Sequence, residues 1–255
     1  MKFEKKLYEG VLLNRYKRFF ADVEHDGEKF TIHVPNTGSL KAVIEKNPKT
    51  AQKCWFSLHG DPAKKLKGTL EAVQTEEGSW VGVNTSNPNR IVTEAIQNSI
   101  ASGKPFFKEW AEYTFYKPEY KISKETRLDG VFLHKKIDLD NPKAKKHFIE
   151  IKNTTYKTKV DKKQHAQFPD SVTERGQKHL TEMMALMKQG HKCELIFAIQ
   201  RDDVDYFSPS EELDPDYTKL LKKASAQGMI ISPTLVSITR DEVKLTNKKL
   251  DLVFE

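Results

Sequence analysis

Cysteine is scarce in this chain, and what there is has no pattern. Cys54 and Cys193 stand alone among 255 residues, so neither a disulfide framework nor a CxxC zinc site is expected. Long apolar runs are missing too. No stretch approaches the roughly 20 apolar residues of a bilayer span. The start, Met1-Lys2-Phe3-Glu4-Lys5-Lys6-Leu7, carries an acid and lacks the apolar core of a signal peptide. There is no GxSxG elbow and no P-loop, so serine hydrolase and NTPase readings have little support. The histidines are scattered, none with zinc-ligand spacing near a cysteine. These absences leave a reduced cytoplasmic protein as the expectation.

Positive charge is present instead. Lys+Arg number 43 against 36 Asp+Glu, a net charge of +7. That balance favours polyanionic partners, although a lysine-rich solvated surface has the same composition. The length suffices for one large domain or two smaller ones with real cores.

The hydrophobic period changes once along the chain. Val11-Leu12-Leu13, Phe19 to Val23, Phe30 to Val34, Lys53 to Leu58, Leu70 to Val73 and Trp80 to Val83 are short strand-like runs. Turn formers separate them, at Asp26-Gly27, Pro35-Asn36-Thr37-Gly38, His59-Gly60-Asp61-Pro62 and Glu77-Gly78. That spacing predicts a small antiparallel barrel over residues 1–84. Ile91, Ala95, Ile96 and Ile100 then share a helical face ending near Gly103-Lys104-Pro105. Strands are predicted at Trp110 to Tyr116, Arg127 to His134 and His147 to Lys152. They are followed by a helix from Val172 to Gln189, a buried strand from Glu194 to Ile199 and a helix from Pro215 to Gln227. For that last helix Asp214 is the expected N-cap and Gly228 the C′ residue. Met229-Ile230-Ile231 and Leu235 to Ile238 read as two late strands. The order makes residues 85–255 a mixed α/β domain.

Two segments carry chemistry. Glu150-Ile151-Lys152 lies in one strand, so Glu150 and Lys152 project to the same side. Asp129 lies in the strand before it. If the strands pair, Asp129 and Glu150 come within reach of one cation. Magnesium commonly takes one or two carboxylates, with water and phosphate oxygens completing its shell. Such an ion polarises a phosphodiester and lowers the pKa of a bound water, while Lys152 could orient that water or stabilise developing charge. A solvated Glu–Lys pair is the plain structural alternative. Further on, Ser171 with Glu174 matches a capping box. Leu180, Met183, Met184 and Met187 make an apolar stripe with Gln177 at its edge. The helix start, with Thr173 and Arg175, could hold a phosphate.

In the barrel, Arg15-Tyr16-Lys17-Arg18-Phe19-Phe20 interleaves cations with rings. Strand alternation would set Arg15, Lys17 and Phe19 on one face and Tyr16, Arg18 and Phe20 on the other. Basic grooves with exposed rings hold single strands on OB folds, and the same rings could equally be core. Pro35-Asn36-Thr37-Gly38 reads as a tight turn with a positive φ at Gly38, and its polar groups, Asn36 and Thr37, could meet phosphate.

The pattern Asp129…Glu150-x-Lys152 in this element order resembles the PD-(D/E)xK nuclease superfamily. The whole chain resembles the sugar fermentation stimulation protein family, on Asn14-Arg15-Tyr16-Lys17-Arg18-Phe19, Pro35-Asn36-Thr37-Gly38, Val83-Asn84-Thr85, Asn89-Arg90, Glu94-Ala95-Ile96, Phe207-Ser208-Pro209 and the long block from Phe168 to Leu180. The resemblance implies an α+β chain, with an OB-like β-barrel followed by a PD-(D/E)xK nuclease-like domain. It implies non-specific DNA binding, single- or double-stranded, nucleoid association, and a regulatory role in sugar (maltose) metabolism. Carried over, Asp129 and Glu150 are metal ligands for Mg2+ or Mn2+, Lys152 is the catalytic lysine, Gln177 is the polar helix residue, and Glu94 is the first-helix acid. Glu112 competes with Glu94 for that role. Leu128 stands where the superfamily name has proline. A homodimer is compatible with all of this.

Overall fold

A computed structural model describes residues 1–45, 51–61 and 63–254. Pro62, at the end of the predicted 59–62 turn, lies outside the described residues.

The first six strands form one sheet: β1 (Leu7–Tyr16), β2 (Phe20–His25), β3 (Glu28–His33), β4 (Gln52–Leu58), β5 (Gly68–Gln74) and β6 (Trp80–Gly82). Their order is β3-β2-β1-β4-β5-β6, and a β3–β5 pairing, His33 opposite Thr69, closes the barrel. Alternation fills it. Ala21 and Val23 of β2, Ile32 of β3, Phe56 of β4 and Leu70 of β5 are all buried in one core. The predicted alternation from Arg15 to Phe20 breaks at Lys17 and Arg18. Both take left-handed backbone (φ 47° and 64°) and turn β1 into β2. Gly38 does not have a positive φ; Leu40 and Ala42 do, at 51° and 58°.

The second sheet lies between helices. It has the order β15-β14-β12-β9-β8-β7, built from β7 (Phe115–Lys121), β8 (Arg127–Leu133), β9 (His147–Thr154), β12 (Lys192–Ile199), β14 (Ile230–Ile238) and β15 (Val243–Lys249). The central strands β9, β12 and β14 run parallel, and β12 (Lys-Cys-Glu-Leu-Ile-Phe-Ala-Ile) is buried on both faces, as the middle of a covered parallel sheet requires. Helix α1 (Asn87–Ser102) covers one face through Ile91, Val92 and Ile96. Helices α2 (Glu174–Lys188) and α3 (Pro215–Ala226) cover the other through Leu180, Met183, Met184, Tyr217 and Leu221. A small sheet, β10 (Tyr156–Val160), β11 (Lys163–Phe168) and β13 (Tyr206–Pro209), flanks this layer.

Three expectations shift. The strand predicted at 110–116 begins at Phe115. Trp110 instead sits in a one-turn 3-10 helix, buried, with its indole N–H donating to Glu194 at 2.9 Å. Pro118 then falls in an edge strand, where its missing N–H costs no ladder bond. Helix α2 begins at Glu174 rather than Val172, and its N-cap is Thr173, whose hydroxyl accepts from the Gly176 N–H at 3.1 Å. The Ser171–Glu174 capping box is therefore not the one used. The two late strands are a single strand, β14. The helix over Pro215–Ala226 does have Asp214 as N-cap, accepting from Tyr217 N–H, and left-handed Gly228 after it.

Barrel and sheet are joined by buried charge. Arg201 follows β12 with its side chain fully enclosed. Its guanidinium forks onto Asp203 at 2.6 and 2.7 Å and donates to the carbonyls of Thr155 and, in the barrel, Ala42 at 2.8 and 3.0 Å. Lys157 donates to Asp203 at 2.8 Å and also pairs with barrel residue Glu77.

Candidate metal and nucleic-acid site

Strand pairing brings the two predicted acids together. β8 and β9 are antiparallel, with Gly130 opposite Ile149 as the last pair. The next position along sets Asp129 across from Glu150. The Asp129 side chain continues the ladder, because its Oδ2 accepts from the Ile151 N–H at 2.7 Å. Its Oδ1 accepts from Asn89 of α1, also at 2.7 Å.

Glu150 and Lys152 share a face, as strand period requires, and Lys152 Nζ donates to Glu150 Oε1 at 2.6 Å. His179 of α2 donates from Nδ1 to the same oxygen at 2.6 Å. Glu150 is only 3 % exposed, and its other oxygen, Oε2, is buried with no hydrogen-bond partner. A buried unpaired carboxylate oxygen is costly. Burial acts to raise the Glu150 pKa, but the Lys152 ammonium and His179 outweigh it and hold the group below its ordinary value. Asp129 goes the other way. Burial, then the neighbouring Glu150 charge, push it up to about 6. Two neighbouring carboxylates whose environments drive their pKa values apart are a recurrent mark of functional sites.

The donor set fits one hard cation in a particular way. Among the described residues no three His, Cys, Asp or Glu side chains form a ready metal cage. An ion would be held by Asp129 and by the free oxygen of Glu150, with water and substrate oxygens supplying the rest, the arrangement magnesium favours.

The other candidate residues lie elsewhere. Glu94, on α1, meets the N-terminal ammonium of Met1 at 2.5 Å; the α1 side chain on Asp129 is Asn89. Glu112 pairs at the surface with Lys192 at 2.6 Å. Gln177 donates to Asp214 Oδ1 at 2.8 Å, tying α2 to the N-cap of α3. His179 occupies the position on Glu150 instead. Its spacing gave a usable signal, since it lies four residues before Met183 and so on the same helical face. Tyr217 is also at this centre. Its fully buried hydroxyl has no partner, and Glu150 and Asp214 add to the burial that raises its pKa. Only the α3 apolar pattern marks Tyr217, which leaves its role invisible in sequence.

In the barrel, Arg15 does not face solvent freely. Its guanidinium donates to the carbonyls of Arg18, Asn36, Gly38 and Ser39, so it builds the 36–39 turn. Asn36 is buried and holds the turn from within, donating to Val83 O and accepting from Gly38 N–H. Tyr16 stacks on Phe20 and donates to Asp22. Lys17, Arg18, Thr37 and Arg175 are exposed. The turn is clasped from the other side by Asp170, whose Oδ2 accepts from Ser39 N–H and hydroxyl at 3.0 and 3.2 Å. A Cβ on Gly38 would lie 2.7 Å from that oxygen. Gly38→Ala is accordingly expected to cost about 1–3 kcal/mol, read as a lowered denaturant midpoint.

Comparison with known proteins agrees with this architecture. A family model described as the SfsA N-terminal OB domain matches residues 13–83, and one described as the sugar fermentation stimulation protein RE domain matches residues 86–242. A sugar fermentation stimulation protein homolog of Bdellovibrio bacteriovorus is 49 % identical over 255 residues, covering 99 % of each chain. Homologs of the same name from Nostoc and Saccharophagus degradans are 39 % and 36 % identical, covering 93 % and 99 % of this chain and 92 % and 100 % of theirs. A solved structure of Pyrococcus furiosus SfsA in complex with Ca2+ superposes with a TM-score of 0.74 at 21 % identity, over 99 % of both chains. No helix among the described residues is long and apolar enough to cross a membrane. The chain belongs to the sugar fermentation stimulation protein family.

Proposed function

We propose that this protein binds DNA largely without sequence specificity and carries a divalent-metal phosphodiesterase site at Asp129, Glu150 and Lys152. The observation that carries the reading is the buried, unpartnered Glu150 Oε2 beside Asp129. A bound Mg2+ or Mn2+ supplies a Lewis acid and an activated water there. Asp129 and Glu150 hold the ion. Lys152, fixed on Glu150, is positioned to stabilise charge developing on a phosphate oxygen. The relative solved with Ca2+ supports a hard-cation site in this fold. The net charge of +7 and the exposed Lys17, Arg18 and Arg175 support a phosphate-bearing partner; Thr37 joins them, whereas Arg15, Tyr16 and Asn36 shape that surface from behind.

The test is incubation of the pure protein with single- and double-stranded DNA plus magnesium or manganese. Cleavage by wild type and its loss in Asp129→Ala is the expected result; undiminished cleavage by the variant contradicts the assignment.

One observation favours a second reading, a DNA-binding regulator on a non-catalytic scaffold. Lys152 and His179 both close on Glu150 Oε1, which partly neutralises the carboxylate without a metal. On that reading binding falls steeply with salt and is the same in Asp129→Ala.

A further inference from the structure

One cavity draws its walls from both halves of the molecule. It is a half-open cleft of about 190 Å³, room for one planar ring system. The barrel contributes Thr37 and its neighbours in the turn. The other half contributes Asn153, Thr155 and Tyr156 from the end of β9 and the start of β10, with Gln167 and Asp170 from the end of β11 and beyond. The cavity starts at Asn153, the residue after Lys152.

Asn36 and Thr85 are spent on backbone partners, but the other polar groups keep free capacity. Gln167 and Thr155 are each only 7 % exposed. The Gln167 amide nitrogen is held by Ser208 Oγ at 3.0 Å, which leaves its carbonyl oxygen open. The Thr155 carbonyl is engaged by Arg201, while its hydroxyl is open. Asn153 Oδ1 accepts from Gln200 at 2.6 Å, so its amide hydrogens remain. Asp170 uses Oδ2 on Ser39 and keeps Oδ1. The cavity therefore offers donors at Asn153, donor-acceptors at Thr155, Tyr156 and Thr37, and acceptors at Gln167 and Asp170. No Lys or Arg lines it, and Asp170 brings a negative charge. The lining offers a phosphate no cation to pair with. A neutral, flat ligand with mixed donor and acceptor edges fits, and the Tyr156 and Phe168 rings at its wall offer a stacking surface.

We propose that this interdomain cavity receives a single unstacked nucleobase of a bound strand, with Gln167, Asn153 and Thr155 reading its edge. The inference rests on the nucleic-acid reading above and narrows it. Extruding a paired base costs a few kcal/mol, whereas a single strand has its bases already free. The protein therefore prefers single-stranded or frayed DNA.

The test uses the full chain in EDTA, so that no cleavage intervenes, and an oligodeoxynucleotide carrying the fluorescent base 2-aminopurine, its duplex, and the same strand with an abasic position. Wild type is expected to bind the single strand more tightly than the duplex or the abasic strand, with a fluorescence change on binding. Gln167→Leu is expected to weaken single-strand binding about tenfold and to lose the fluorescence change. Thr155→Val, which keeps side-chain shape and leaves Ser208 undisturbed, is expected to weaken it severalfold, with an unchanged melting curve. Equal wild-type affinity for normal and abasic strands, or wild-type behaviour in both variants, overturns the proposal. Absence of any strand binding by wild type overturns it together with the nucleic-acid reading. Base-sensitive binding in a protein that takes up no metal supports it and strikes only at the metal site.

Discussion

Asp203→Ala is expected to destabilise the protein by about 3–5 kcal/mol, a drop in melting temperature on the order of 10 °C at ~2–4 °C per kcal/mol. The size follows from what the substitution leaves behind. Arg201 has no exposed side-chain surface, and Asp203 is the carboxylate that answers its charge through two bonds of 2.6 and 2.7 Å. Removing the acid strands a buried guanidinium and leaves Lys157 with Glu77 as its one acidic partner among the described residues. The same pair sets an acid limit. Burial alone would raise the Asp203 pKa, but Arg201 and Lys157 overcome it and hold the group at about 2. A carboxylate depressed in the folded state stabilises the fold above its unfolded pKa of ~3.9 and loses that contribution as pH falls toward 2, about 2–3 kcal/mol in all. Denaturant melts at pH 7 and pH 3 check both statements. A variant within 1 kcal/mol of wild type at pH 7, a roughly fivefold change in the folding constant, contradicts them. Because Arg201 also donates to Ala42 of the barrel, the loss should reach how barrel and sheet are held together.

Lys152→Met is expected to lower metal-dependent cleavage by about 10²–10³-fold without weakening metal uptake. Methionine keeps the apolar stem and removes the ammonium. Lys152 touches Glu150 Oε1, while the oxygen assigned to the ion is Oε2. With the lysine gone, Glu150 keeps both oxygens and one fewer competing cation. Separate measurement of manganese affinity and of single-turnover cleavage distinguishes the two effects. Loss of metal binding along with cleavage would show that the lysine acts by holding the carboxylate in place rather than on the reacting phosphate.

The sequence made Asp129, Glu150 and Lys152 legible because strand period and pairing are local and regular. Ile149 and Ile151 on one side and Phe148 on the other fix the register in which the acids meet. The helix residues were harder. Glu94 carries the expected charge at a helical position, yet Met1 folds over α1 and takes it, a contact between residues far apart in the chain. Gln177 and His179 are two residues apart on α2, so a rotation of under half a turn decides which one reaches the sheet. With Thr173 as N-cap and the helix starting at Glu174, His179 is the residue turned inward. The β10–β11 hairpin carries no sequence signal, because its turn uses Asp161 and Lys162, left-handed at φ 47° and 68°, in place of the Asn-Gly or Asp-Gly pair that marks such turns. Arg15 read as a phosphate contact because a cation among rings looks the same whether it faces solvent or four backbone carbonyls.

Calorimetric titration of manganese into the wild-type chain and into Glu150→Gln tests the account most directly. The substitution keeps side-chain shape, and a melting curve checks that the fold survives. Saturable binding of a single ion by wild type, lost in Glu150→Gln, is the predicted result. Equal heats in the two proteins, or no binding by wild type, would contradict a metal site built on the free oxygen of Glu150.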